Sequence, residues 1–130
     1  MRGQKLFVRP TGAEDAGRLA AFYRREEASP SGALDSEGLI GFLVGDPVAH
    51  LAFRAEGDEV EIVHIWTAKA LRRMRIARIM VGELAELARK VGARRLVIRR
   101  SALHDEPFLR LGFVESRAGM LERDLERNDR

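Results

Sequence analysis

Between residues 60 and 91 the apolar residues change their period, and that change limits the folds open to the chain. Val60 to Thr67 is rich in β-branched residues and reads as a strand. Ile76, Ile79, Met80, Leu84, Leu87, Ala88 and Val91 then share one face of a helix with about 3.6 residues per turn. Gly92 is placed to end that helix in a left-handed conformation. Arg95 to Arg99 is the next strand, expected parallel to the one before the helix.

The rest of the chain fits around that unit. Leu6 to Arg9 reads as a first strand. Thr11, followed three residues later by Glu14, has the pattern of a capping box and opens a helix. Ala16, Leu19, Ala20 and Tyr23 follow at helical spacing, with Tyr23 expected in a half-buried packing role. The breaker cluster from Ala28 to Gly32 should end the helix. Leu39 to Val44, Val48 to Arg54 and Val60 to Thr67 are separated by the turns Gly45-Asp46-Pro47 and Glu56-Gly57-Asp58, the pattern of an antiparallel meander. Glu106 to Leu111 reads as a short helical turn, and Phe113 to Glu115 with Met120 to Leu125 as a closing hairpin. The expected class is α/β (α+β): one domain over residues 1–130, with a central mixed, mostly antiparallel sheet flanked by helices.

Composition excludes several kinds of chemistry. The chain has no cysteine, so disulfides, a thiolate nucleophile and a cysteine-based zinc site are excluded. His50, His64 and His104 are scattered without paired ligand spacing, so no metal is expected. No stretch is apolar enough to span a membrane, and Met1 to Leu6 lacks the apolar run of a signal peptide; the expected location is the cytoplasm. Gln4 and Asn128 are the only side-chain amides, a thermophile-like composition. The net charge of +3 is carried by arginine and suits a polyanion: nucleic acid, a membrane surface or a phosphorylated cofactor.

The arginines crowd one place. After the strand ending at Thr67, the segment Ala68-Lys69-Ala70-Leu71-Arg72-Arg73-Met74-Arg75 leads into the helix that carries Ile76, Ala77 and Arg78. Amides at a helix N-terminus have no partner within the helix, and the helix dipole adds positive potential. With arginines added, the joint becomes a site for an anion, and a diphosphate is its natural occupant. On charge alone a solvated basic surface explains the same residues more simply.

The segment resembles motif A of the GNAT superfamily of N-acetyltransferases: a strand, then Arg/Gln-x-x-Gly-x-Gly/Ala, then a helix. Arg72, Ile76 and Ala77 stand in register with it. The likeness extends over most of the chain, through Val8-Arg9-Pro10, the hairpin at Gly45-Asp46-Pro47-Val48, and Phe108-Leu109-Arg110-Leu111-Gly112-Phe113 near the end. The resemblance implies acetyl-CoA as acyl donor and a primary amine as acceptor, whether a small molecule, a peptide terminus or a lysine. It gives the backbone of Ile65, Trp66 and Thr67 to the pantetheine arm. It gives the amides of Arg73, Met74, Arg75, Ile76, Ala77 and Arg78 to the pyrophosphate. Ser101 and Phe108 fall where family members contact the cofactor. Glu61 stands where histone-type members carry a base, and His64 is a second proton acceptor by its chemistry.

Two positions depart from the pattern. Arg75 replaces the first glycine of the motif, which keeps an amide and adds a charged fork. Phe108 stands where many members have a tyrosine, and a phenyl ring cannot protonate a leaving thiolate. These departures motivate an alternative, a degenerate acyl-CoA-binding module with little turnover. A basic nucleic-acid-binding domain is the second alternative; the chain has no interleaved aromatics or nucleic-acid motif to favour it. Monomer and homodimer are both open.

Overall fold

The computed structural model describes residues 5–30, 33–99, 111–116 and 119–125, apart from the side chain of Arg73. Among them run β1 (Leu6–Pro10), α1 (Ala16–Glu26), β2 (Glu37–Leu43), β3 (Asp46–Glu56), β4 (Glu59–Thr67), α2 (Ile76–Lys90), β5 (Arg95–Arg99), β6 (Val114–Glu115) and β7 (Met120–Asp124). Seven strands form one sheet in the order β1-β2-β3-β4-β5-β7-β6. The meander β2-β3-β4 is antiparallel, and β5 runs parallel to β4, both as the sequence predicts.

Strand alternation assigns the two helices to opposite faces. Gly41 and Ala49 are register partners on one face, where a Cβ on Gly41 would stand 3.0 Å from the Met80 sulfur of α2. The absent side chain is what lets α2 approach. His50, the next residue after Ala49, points to the other face and meets Tyr23 of α1.

Some local expectations are corrected. One concerns the helix start. A 3₁₀ turn, Ala13–Asp15, precedes α1, and the cap is Gly12 rather than Thr11. The Gly12 amide donates to Asp15 Oδ2 at 2.7 Å, and the Asp15 amide to the Gly12 carbonyl at 2.9 Å. Thr11 instead donates its amide to the Gly38 carbonyl of β2. A buried carboxylate with two arginine partners outcompetes an exposed Glu14 for the reciprocal bond.

The end of α1 falls beside the Ala28 to Gly32 cluster, as the sequence predicts. Glu27 takes the left-handed conformation (φ 57°), and Ala28 donates to the Tyr23 carbonyl at 3.0 Å, closing the helix with a six-to-one bond.

Another correction concerns the face of α2. Ile76, Ala77, Met80, Val81, Leu84, Ala85 and Ala88 are buried, whereas Ile79, Leu87 and Val91 are exposed. Alanines on the inner face let the helix lie close to the sheet, so the buried stripe follows small residues rather than the largest ones. Gly92 ends the helix at φ 88°, as its position predicts.

Tyr23 is fully buried rather than half-buried. Its hydroxyl lies 2.7 Å from His50 Nδ1, and its ring is 5.6 Å from that of His64. Burial, with the neighbouring His64, pushes the His50 pKa down to about 4 from 6.5. The unfolded chain therefore binds a proton that the folded chain refuses. Stability is unaffected above about pH 6.5 and falls as pH drops toward 4, by about 3 kcal/mol at 1.36 kcal/mol per unit. Urea titrations across pH 7 to 4 should show that loss. His50→Gln should flatten the profile in this window, and an equally steep profile would assign the loss to other groups.

Candidate active site

β4 changes partners along its length. It pairs with β3 through Thr67, but with β5 only over Glu59–Ile62 against Arg95–Ile98. The β3 pairing has a bulge at Ala52/Phe53, where Val63 is skipped. From Val63 to Thr67 the β5-facing backbone of β4 has no strand partner among the described residues. Backbone groups on an unpaired strand edge can take an extended amide chain as they would take another strand.

The strand then leads into a 3₁₀ turn, Lys69–Met74, and α2 begins at Ile76. The joint residue is Arg75, in the left-handed region at φ 61°, ψ 24°. Glycine adopts this conformation without penalty, while an L-residue gives up about 1–2 kcal/mol. The departure seen in the sequence therefore keeps the backbone of a glycine at that cost. Ile79 donates to the Arg75 carbonyl at 3.2 Å, and the amides of Ile76, Ala77 and Arg78 open the helix without intrahelical acceptors.

Side chains around the turn divide by role. Ile76 and Ala77 are buried in the core, so packing alone demands a small residue at position 77, and only their backbone is available to a ligand. Met74, Arg75 and Arg78 are exposed. Arg72 turns back toward the strand: its Nε donates to the Thr67 carbonyl at 3.0 Å, and its guanidinium lies 4.5 Å over the Trp66 ring. Thr67 Oγ1 is buried with no hydrogen-bond partner among the described residues, a cost that a ligand hydrogen bond would remove.

Glu26 is a residue that the sequence reading missed. From the end of α1 its Oε1 accepts from Trp66 Nε1 at 3.1 Å and from the Lys69 amide at 2.8 Å. One carboxylate thus ties α1, β4 and the basic turn together. A terminal helical glutamate, 40 residues from Trp66, has no distinguishing local signal.

The two proton-transfer candidates sit on β4 in different settings. Glu61 lies in the last stretch paired with β5, opposite Val97. Its carboxylate accepts from Arg54 Nη2 at 2.8 Å and is 3.2 Å from Arg99 Nε. Proton transfer from an amine therefore requires a bridging water or the displacement of one guanidinium. His64 is buried, beside Tyr23. Glu59, two residues earlier on the same strand, is held by Arg95 at 3.0 Å. Ser101, His104 and Phe108 lie outside the described residues, as does most of the expected turn from Glu106 to Leu111. Two further concavities flank these elements. One of about 300 Å³ lies between the start of α1 and residues 34–37, with His50 in its wall. The other, about 380 Å³, lies between α2 and β7. No three His, Asp or Glu residues among those described are grouped to hold a metal, and no described helix is long and apolar enough to cross a membrane.

A family model described as the acetyltransferase (GNAT) family matches residues 4–113. No curated protein matches. Among solved structures, the chain is similar to the ribosomal-protein-S18-alanine N-acetyltransferase of Escherichia coli, with 15% identity, 96% of this chain and 97% of that one covered, and a TM-score of 0.76. It is also similar to a GNAT family N-acetyltransferase of Escherichia coli in complex with CoA, with 17% identity, 96% and 84% covered, and a TM-score of 0.73. A GNAT family acetyltransferase from Brucella melitensis in complex with acetyl-CoA gives 18% identity, 97% and 92% covered, and a TM-score of 0.68. At these identities the likeness is one of fold.

Proposed function

The chain belongs to the acetyltransferase (GNAT) family, and from that premise we propose that it moves an acetyl group from acetyl-CoA to a primary amine. The observation that carries the proposal is the seam of β4. The strand loses β5 after Ile62, then runs into a basic turn and the open N-terminus of α2. The acyl donor supplies a thioester carbonyl open to attack by an amine.

The chain's own residues then have distinct tasks. The β5-facing edge of Ile65 to Thr67 holds the pantetheine amides, and Thr67 Oγ1 gains a partner there. Amides from Arg73 to Arg78 hold the pyrophosphate, with positive charge from Arg75 and Arg78. Arg72 and Glu26 keep the turn in place through Thr67, Trp66 and Lys69. Glu61 accepts the amine proton, directly or through water; a route by His64 would have to reach a buried ring. Ser101 and Phe108 complete the cofactor arm's surroundings by the family pattern. The acceptor is a small amine, a peptide terminus or a lysine.

The double ion pair on Glu61 also favours a second reading, an acyl-CoA-binding module with little turnover, because a carboxylate so held is not free to act. Binding is common to both readings and comes first. Acetyl-CoA at about 100 times its dissociation constant should stabilise the folded chain by about 2.7 kcal/mol. A thermal shift assay checks this, and no shift at millimolar acetyl-CoA would overturn both readings.

A further inference from the structure

We propose that the amine acceptor carries a carboxylate of its own, as a free amino acid does, and that Arg99 receives this carboxylate while Glu61 receives the amine. The inference deepens the acetyl-transfer reading and rests on it, the role of Glu61 included. Arg99 is the last residue of β5, one position beyond Ile98, where pairing with β4 ends. It therefore stands at the mouth of the seam, beside the carboxylate assigned to the reacting amine. Its Nε is 3.2 Å from one oxygen of Glu61, and Arg54 Nη2 donates to the other at 2.8 Å.

Charge on this part of the sheet is unevenly shared. Glu61 has two guanidinium partners. Two residues back on β4, Glu59 shares a single one, Arg95, with Asp58, and Arg95 also feels Glu122 of β7. Between Glu61 and β7 stands Val97, which is buried and apolar. Among the described residues, positive charge is thus in excess at Glu61 and negative charge at Arg95.

An acceptor that bears only an ammonium group would bring a third cation to one carboxylate, and like charges at such distances repel. An acceptor with a carboxylate exchanges partners instead. Its ammonium takes the place of Arg99 on Glu61, and its carboxylate takes the place of Glu61 on Arg99. The terminal NH2 groups of Arg99 have no acceptor among the described residues, and the side chain is 61% exposed, so its planar fork is open to a carboxylate arriving from solvent. Arg54 keeps its bond to the other oxygen and holds Glu61 in place through the exchange. Glu61 then takes one proton from the ammonium. The amine forms the new C–N bond as the C–S bond breaks, and its second proton leaves with the sulfur. The double ion pair, an obstacle for a simple amine, becomes the means of selecting a zwitterion.

Release of free thiol from acetyl-CoA by the whole chain tests the proposal. Free amino acids from glycine to glutamate are compared with their carboxamides and with putrescine. For the best-accepted side chain, kcat/KM of the acid should exceed that of the carboxamide at least about tenfold, the worth of one charge-assisted hydrogen bond. The amine of a carboxamide loses its proton more readily, so the comparison works against the proposal. Arg99→Gln should bring the ratio toward one, chiefly by raising KM for the acid, and Arg99→Lys should restore part of it. The parent's own ratio answers even if a variant fails to fold. A ratio kept intact in Arg99→Gln would overturn the assignment to Arg99. Carboxamides or putrescine consumed as fast as the acids would overturn the inference and leave acetyl transfer standing. No thiol release above the amine-free rate with any of them would overturn the two together.

Discussion

Replacing Glu61 by glutamine lowers turnover by about 10²–10⁴-fold if Glu61 is the general base, and leaves the affinity for acetyl-CoA essentially unchanged. The split follows from position. Glu61 lies before the point where β4 parts from β5, outside the stretch of β4 proposed for the cofactor arm. Glutamine preserves size and strand conformation. It gives up ion pairs with Arg54 and Arg99, whose side chains are 59% and 61% exposed but which reach a carboxylate that is only 13% exposed. An unchanged melting temperature of the variant therefore assigns a change in rate to chemistry rather than to unfolding. Single-turnover rates and titrated dissociation constants, measured on the same preparations, separate the two quantities. An unaltered rate removes Glu61 from the mechanism. Tight binding with no turnover of any amine by the parent would favour the binding-module reading.

Asp15→Ala should cost about 4 kcal/mol of stability, on the order of 10 °C in melting temperature. The side chain is 1% exposed and is reached by Arg9 Nη1 and Nη2 at 2.8 Å, by Arg18, and by the Gly12 amide. It joins β1 to the start of α1. Hydrogen bonds from Arg9 hold its pKa well below the usual carboxylate range, against the opposing effect of burial. A depressed acid contributes stability that is complete above its unfolded pKa, near 3.9, and is lost as pH falls through the folded value. Acid unfolding should then show two stages, His50 between about pH 6.5 and 4 and Asp15 below that. Removal of Asp15 leaves Arg9 and Arg18 facing each other near a buried void, and the helix start loses a cap. Urea denaturation at pH 7 checks the magnitude; a loss under 1 kcal/mol would mean the two arginines are served by solvent instead.

The large pattern of the fold was legible because it is written in periods. The meander and the switch at α2 are repeating features, and each strand and helix expected there is present. The errors fall where a single long-range neighbour decides. Thr11 has good capping chemistry, but Asp15 is buried between two arginines and takes the part. Ile79, Leu87 and Val91 are large enough to suggest a buried face, yet Ala77 and Ala85 fit the close gap to the sheet. In the site, Arg75 could be read as charge but not as a left-handed residue, since nothing in an arginine's chemistry favours φ 61°. Glu26 and the Tyr23–His50 pair connect residues from separate elements, and only the folded chain brings them together.

The short pairing of β4 with β5 has a mechanical consequence. Among the described residues eight register pairs join β3 to β4 and four join β4 to β5, so the sheet divides into two panels at a narrow seam. Opening along the seam breaks fewer bonds than opening anywhere within the meander. The panel of β5, β6 and β7 can therefore part from the meander at a free energy below that of global unfolding. A molecule lying along β4 and held by α2 would bridge both panels. Its binding would damp that breathing, and part of its affinity would be spent on quieting a motion built into the sheet.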